Sequence, residues 1–194
     1  MIGRWIRGAA AGALRAVTGA VPPRRVMHGI EVWVLNDDLH ATDDEMMDKV
    51  AAALDRVAGA QPWRIPMLRR DLARIVVRQN TGCRALFEHS GTCVLDTYFV
   101  ARFAPAQVAS SIVHEGVHAR LRRGGRTVPP DLIAWEERLC RKAELGFGLR
   151  IADGAAVVER ARQSLALSDR DVAPLAADVP LRRTRHHRRA RGDG

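Results

Sequence analysis

The sequence predicts an α+β fold: one compact domain in which a small, mostly antiparallel sheet packs on a buried central helix and further helices. Three observations carry this. Runs rich in β-formers, residues 30–36, 74–79, 84–88 and 92–96, fall in the first half of the chain. A helical run over residues 106–123 sets Val108, Ile112, Val113, Val117 and Leu121, with small Gly116 and Ala119, around most of its circumference. A helix apolar nearly all round is a buried one. Two further helix-period stretches, residues 132–146 and 155–167, follow it. At 194 residues the chain is long enough to bury a core without staples and short enough to favour one domain.

In chain order, residues 1–28 read as a basic leader, poorly structured or an amphipathic helix. Their apolar core, residues 9–14, is too short for a signal peptide, and nothing in the chain approaches the ~20 apolar residues of a membrane span. The folded domain is expected over residues 29–168. Residues 30–36 form the first strand. Thr42 opens a helix, with Glu45 three residues on completing a capping box, and Gly59 ends it after Val57. A helical turn at 67–72 leads into the second strand. Residues 84–88 and 92–96 form a hairpin across His89-Ser90-Gly91, and Tyr98, Phe99 and Val100 continue the sheet. Pro105 suits the first turn of the central helix, and the basic residues and glycines of 122–125 suit its end. Asp131 caps the next helix. Residues 169–194 lose periodicity and form a basic disordered tail.

That tail locates the charge. Six of the arginines behind the net charge of +9 fall between Arg182 and Arg191, so the body is only mildly basic and needs no anionic partner. The tail implies at most a weak contact with an anionic surface. Without interleaved aromatics or a recognisable fold it does not support nucleic-acid binding. The three cysteines, Cys83, Cys93 and Cys140, are odd in number and match no Cys-rich metal module. They read as reduced thiols in a reducing compartment, hence a cytoplasmic location.

The chemistry is concentrated in His114-Glu115-Gly116-Val117-His118. Histidines four residues apart stack on one helix face and can hold one Zn²⁺ at about 2.0–2.1 Å. A glutamate directly after the first is placed to act as general base toward water activated by that metal. Buried imidazoles need partners, and a metal supplies one partner for both.

The motif, with a sheet before its helix and a carboxylate-bearing helix after it, resembles a compact zincin, a zinc metallopeptidase of the gluzincin type, over roughly residues 30–149. Only the five-residue motif is specific; the rest is element order. The resemblance implies a peptide or protein substrate lying along the sheet's edge strand, and a third ligand, a glutamate, on the following helix close to twenty residues downstream. No histidine stands at metzincin spacing after His118. Glu136, Glu137 and Glu144 are the candidates. Spacing favours Glu137 as ligand with Glu144 as its supporting partner. The apolar arc of the helix, Leu132, Ile133, Trp135, Leu139, Cys140, Ala143 and Phe147, puts Glu136 near its middle, where a carboxylate needs a cation. Glu137 is preferred and Glu136 stays open. The expected site is therefore His114, His118 and Glu137 on zinc with Glu115 as base; Tyr98 and His89 are weak candidates for stabilising the oxyanion. The alternative is a catalytically silent zincin-like domain whose basic tail meets an acidic partner.

Overall fold

A computed structural model describes residues 22–36, 41–80, 83–88 and 90–172. The leader up to residue 21, the acidic loop 37–40, the turn 81–82, His89 and the tail beyond 172 lie outside the described residues. The fold is α+β, a five-stranded mixed sheet with helices packed against it.

The sheet begins earlier than the sequence suggests. Strand β1 (Arg24–Met27) pairs antiparallel with β2 (Ile30–Leu35) through a two-residue turn at His28 and Gly29. Both turn residues have positive φ, 50° and 75°, the requirement of a hairpin turn that matches strand twist. The expected boundary at residue 28 therefore cuts a hairpin, and residues 24–28 belong to the domain. In β2 the alternate residues Ile30, Val32 and Val34 are buried. Helix α1 (Asp43–Ala60) follows, with both halves of the Thr42–Glu45 capping box formed. It runs through Gly59 to Ala60, and Gln61 caps it. The turn expected at 67–72 is the end of a full helix, α2 (Arg64–Asp71).

The two helices carry the chain back over the sheet, so β3 (Arg74–Arg78) pairs parallel with β2. β4 (Ala85–Phe87) and β5 (Thr92–Asp96) form the expected hairpin, and β5 pairs parallel with β3. The order is β1-β2-β3-β5-β4, parallel at its centre and antiparallel at both edges. This corrects the mostly antiparallel expectation. Residues 36–73 are a crossover, and a connection of that length holding helices is what parallel strands require. Buried Thr92 to Leu95 and Ile75 to Val77 show the continuous burial of covered parallel strands.

Tyr98, Phe99 and Val100 do not continue the sheet. Asp96 accepts from the backbone N–H of Phe99 at 2.9 Å and caps a short helix, α3 (Thr97–Arg102). α4 (Pro105–Leu121) is the central helix, buried along eleven of its residues. It packs on α1 and α2, on the β4–β5 edge, and on the two longer helices that follow it. Gly116 permits this: a Cβ there would lie 2.4 Å from Leu68 Cδ2 of α2. Past α4, Gly124 and Gly125 both take φ of +76° and turn the chain back. A 3₁₀ turn, Pro130–Leu132, leads into α5 (Ile133–Gly148), which packs against the motif helix. Asp131 does not cap it. α6 (Ala155–Ala166) and the short α7 (Asp169–Val172) complete the described chain, and buried Val172 shows that the tail begins later than residue 169. Among the described residues no helix is long and apolar enough to cross a membrane.

Candidate metal centre

The buried stripe of α5 is not the apolar arc the sequence suggests. Leu132 is 44% exposed and Trp135 51% exposed. The positions turned inward are Glu136, Cys140 and Glu144, one turn apart along the helix, followed by Phe147. α5 lays this polar stripe against the face of α4 that carries His114 and His118.

The two imidazoles meet at their Nε2 atoms, 3.1 Å apart. Glu137 faces the same point: Oε2 lies 3.4 Å from His114 Nε2 and Oε1 3.2 Å from His118 Nε2. The opposite ring nitrogens are each held by a second carboxylate. His114 Nδ1 lies 2.8 Å from Glu144 Oε1, and His118 Nδ1 lies 2.7 Å from Glu136 Oε1. With each Nδ1 donating to its carboxylate, both Nε2 atoms present lone pairs to one another and to Glu137. Four electron-pair donors then converge, and positive charge must lie among them, either protons, which the raised histidine pKa values show this pocket draws in, or a bound metal cation. Donors placed tetrahedrally around zinc at 2.0–2.1 Å are roughly 3.3 Å apart, close to the spacings here.

The supporting carboxylates are themselves anchored. Arg122 donates through Nε and Nη2 to the two oxygens of Glu136, each at 2.9 Å. Arg141 Nη1 donates to Glu144 Oε1 at 2.9 Å, and Arg160 Nη2 donates to both Glu144 oxygens at 3.0 and 2.9 Å. The middle-of-the-arc burial of Glu136 is thus accounted for by His118 and Arg122, and Glu137 is the carboxylate facing both Nε2 atoms. The two arguments that divided these residues concern two separate positions.

The electrostatics follow from the contacts. Burial pulls His114 toward neutrality, but hydrogen bonds to the Glu137 and Glu144 carboxylates and the charge of Glu115 outweigh it and push its pKa up to about 10. For His118, burial is outweighed by Cys140, Glu136 and Glu137, and the pKa rises to about 12. Burial pushes Glu136, Glu137 and Glu144 upward, yet their histidine and arginine partners hold all three below the ordinary carboxylate range. Glu115 differs. Burial raises it, and the charges of Glu137 and Glu144 add to that, against a partial offset from the histidines. It is the one buried carboxylate of the cluster biased toward accepting a proton.

Sequence reasoning missed Cys140. It is fully buried, and its sulfur forms a group with ligand nitrogens of His114 and His118 in which all atoms lie within 4.8 Å of one another. Its position three residues after Glu137 and four after Glu136 was the available signal. The supporting arginine Arg160 had none, because it comes from a separate helix. Tyr98 is half exposed on α3, outside the cluster, and His89 lies outside the described residues. A hollow of about 400 Å³ lined by Glu45, Lys49, Val100 and Pro105 contains none of the converging donors.

No family model matches the sequence, and comparison with curated proteins and with solved structures finds no match.

Proposed function

We propose that this protein is a zinc-dependent metallopeptidase of zincin type, hydrolysing a peptide bond in a peptide or protein. The observation that carries the reading is the convergence of His114 Nε2, His118 Nε2 and both oxygens of Glu137, with Glu144 and Glu136 orienting the two imidazoles from behind. His114, His118 and Glu137 would hold the metal, whose chemistry when bound is Lewis acidity toward water and a carbonyl oxygen. Glu115 takes up the proton lost by the attacking water and passes it to the leaving amine. β4 supports the reading from the other side: among the described residues it is a sheet edge, paired with β5 alone, and it lies against α4, so an extended peptide can add to it as a further strand. The three free thiols suit a reducing cytoplasmic compartment.

The test is metal analysis of purified protein, wild type against His114→Ala, with hydrolysis of a mixed peptide pool by wild type and Glu115→Gln. One zinc per chain in wild type alone, with cleavage lost in Glu115→Gln, is expected. Equal, negligible zinc in wild type and His114→Ala would sink the proposal.

Cys140 favours a second reading. A thiolate joining His114, His118 and Glu137 would make four protein ligands, the mark of a closed structural site and of a silent binding domain. Cobalt(II) substitution separates the two. An intense near-ultraviolet sulfur-to-cobalt band that disappears in Cys140→Ser assigns the closed site; its absence in wild type assigns the open one.

A further inference from the structure

Arginines gather beside the metal centre in excess of the carboxylates that need them. From α5 and α6, Arg141 and Arg160 both turn to Glu144, their side chains 20% and 27% exposed. From the start of β4, the Arg84 guanidinium lies over the ring of Phe103 at 4.6 Å and of Phe99 at 5.5 Å. The Arg84 side chain makes no hydrogen bond or ion pair with any described residue, although it is partly buried; burial and the charges of Arg160 and Arg141 lower its pKa, with a partial offset from the charge of Glu144. The Nε–H of Arg141 is buried with no partner among the described residues. Three guanidiniums, one from just before β4 and two from α5 and α6, therefore share the charge of Glu144, which already serves His114. The charge of Glu115 also reaches Arg160.

A partly buried arginine whose donors have no partner among the described residues, beside two others that share one carboxylate, carries a cost that a second, bound anion offsets. The rings of Phe103 and Phe99 hold the Arg84 guanidinium by cation–π contact without using its N–H donors, and a guanidinium with free donors can receive a carboxylate through two parallel bonds. We propose that Arg84, Arg141 and Arg160 form a recognition site for a carboxylate of the substrate, so that the enzyme takes peptides with an acidic side chain or a free C-terminal carboxylate near the scissile bond. This rests on the metallopeptidase reading. The site is two hydrogen bonds beyond His114 Nδ1, roughly 10 Å from the converging donors, and extended chain covers about 3.3 Å per residue. The recognised carboxylate is therefore within about three residues of the bond cut.

The experiment has two arms, both on zinc-loaded full-length protein. In the first, a peptide pool is prepared in four matched forms: internal Glu or internal Gln, each with a free or an amidated C-terminus. Wild type should cut the carboxylate-bearing forms roughly tenfold to a hundredfold better in kcat/KM. Whether the internal Glu or the free terminus carries the preference identifies the source. In Arg84→Gln the ratio between acid and amide forms should fall to near one, and in Arg84→Lys it should recover partially. In the second arm, glutarate and its neutral match glutaramide are titrated while the arginine Nε–H resonances are followed. Glutarate should shift Arg84 and Arg141, glutaramide should not, and Arg84→Gln should abolish the effect.

Equal cleavage of acid and amide forms by wild type, or an undiminished preference in Arg84→Gln, overturns the proposal. So do equal glutarate shifts in wild type and variant, or tighter binding of inorganic phosphate than of glutarate. Failure of wild type to cut any form would instead refute the hydrolase reading, and the glutarate arm would still decide the anion site.

Discussion

Replacing Glu136 and Glu137 one at a time by glutamine should separate the distinct jobs that these neighbours on one helix perform. Glu136 is completely buried and accepts from His118 Nδ1 at 2.7 Å and from both arms of the Arg122 fork at 2.9 Å. Glutamine keeps the shape and one acceptor oxygen. It also turns an NH₂ group on one of its donors. Breaking a buried charge pair costs on the order of 3–5 kcal/mol. Arg122 is 23% exposed and can turn to water, which places the loss near the lower end, about 3 kcal/mol. For a chain of this size that lowers the melting temperature by roughly 6–12 °C. Zinc affinity should fall only through the loosened imidazole, by about tenfold to a hundredfold, or roughly 1.4–2.7 kcal/mol.

Glu137→Gln acts differently. Its two oxygens face the Nε2 atoms and no arginine donates to them, so the loss of affinity should exceed that hundredfold ceiling, about 2.7 kcal/mol. Competition with a chromogenic chelator measures both affinities, and thermal unfolding with and without EDTA measures the stability each variant retains. Abolished zinc binding in Glu136→Gln alongside near-wild-type binding in Glu137→Gln would refute the reasoning. It would mean that Glu136 leaves Arg122 to become the ligand.

Three further outcomes are expected. Glu115→Gln should keep its zinc and lose hydrolysis by about 10²–10⁴-fold; because burial already disfavours the Glu115 carboxylate, its melting temperature should be equal to or above that of wild type. Gly116→Ala should drive a methyl to 2.4 Å from Leu68 Cδ2 and cost about 1–3 kcal/mol, and a double-mutant cycle with Leu68→Ala should recover some of that, since the shorter side chain removes the clash. Thr42→Ala should cost about 1 kcal/mol by removing the α1 cap. Glu45 in that cap is held below its ordinary value first by the backbone N–H of Thr42 and then by its hydroxyl. Its contribution is therefore present above the unfolded-state value of 4.5 and lost as pH falls through the lowered folded value, so the stability difference between wild type and Glu45→Gln should vanish in acid.

The regions of this molecule legible in the sequence are those set by local periodicity. The burial of α4 was written in Val108, Ile112, Val113 and small Ala119, whereas Gly116, Val117 and Leu121, read with them as part of the buried circumference, are only partly buried. The Thr42–Glu45 box, the Pro105 start and the β4–β5 hairpin were legible for the same reason. What was not legible depended on partners distant in sequence. Strand direction at the sheet centre is decided by the path of α1 and α2, and an alternating run such as Ile30 to Leu35 reads alike in either orientation. Phe99 and Val100 have strand composition, yet Asp96 captures the Phe99 N–H and the burial of both residues is satisfied from a helix.

The division of labour on α5 shows most clearly where such reading stops. Adjacent helical residues point about 100° apart, so Glu136 and Glu137 were bound to meet different surroundings, and the place of Glu136 near the middle of the expected arc agrees with its burial although Leu132 and Trp135 of that arc are exposed. The arc could not say what waited there. Burial demands a partner for a carboxylate without naming it, and here the partners are Arg122, fourteen residues back, and the far nitrogen of His118. Had α5 been rotated by one residue over α4, Glu136 would face the Nε2 atoms and Glu137 would turn away from them. The registry is set instead by the other inward positions. Cys140 and Glu144 must lie against α4 one and two turns on, and Glu144 must reach His114 Nδ1 and Arg160 together. Three buried polar residues on one stripe, each with its own required partner, leave one rotation at which all are satisfied. At that rotation Glu137 faces the histidine pair, and the polar stripe positions the site as well as supporting it.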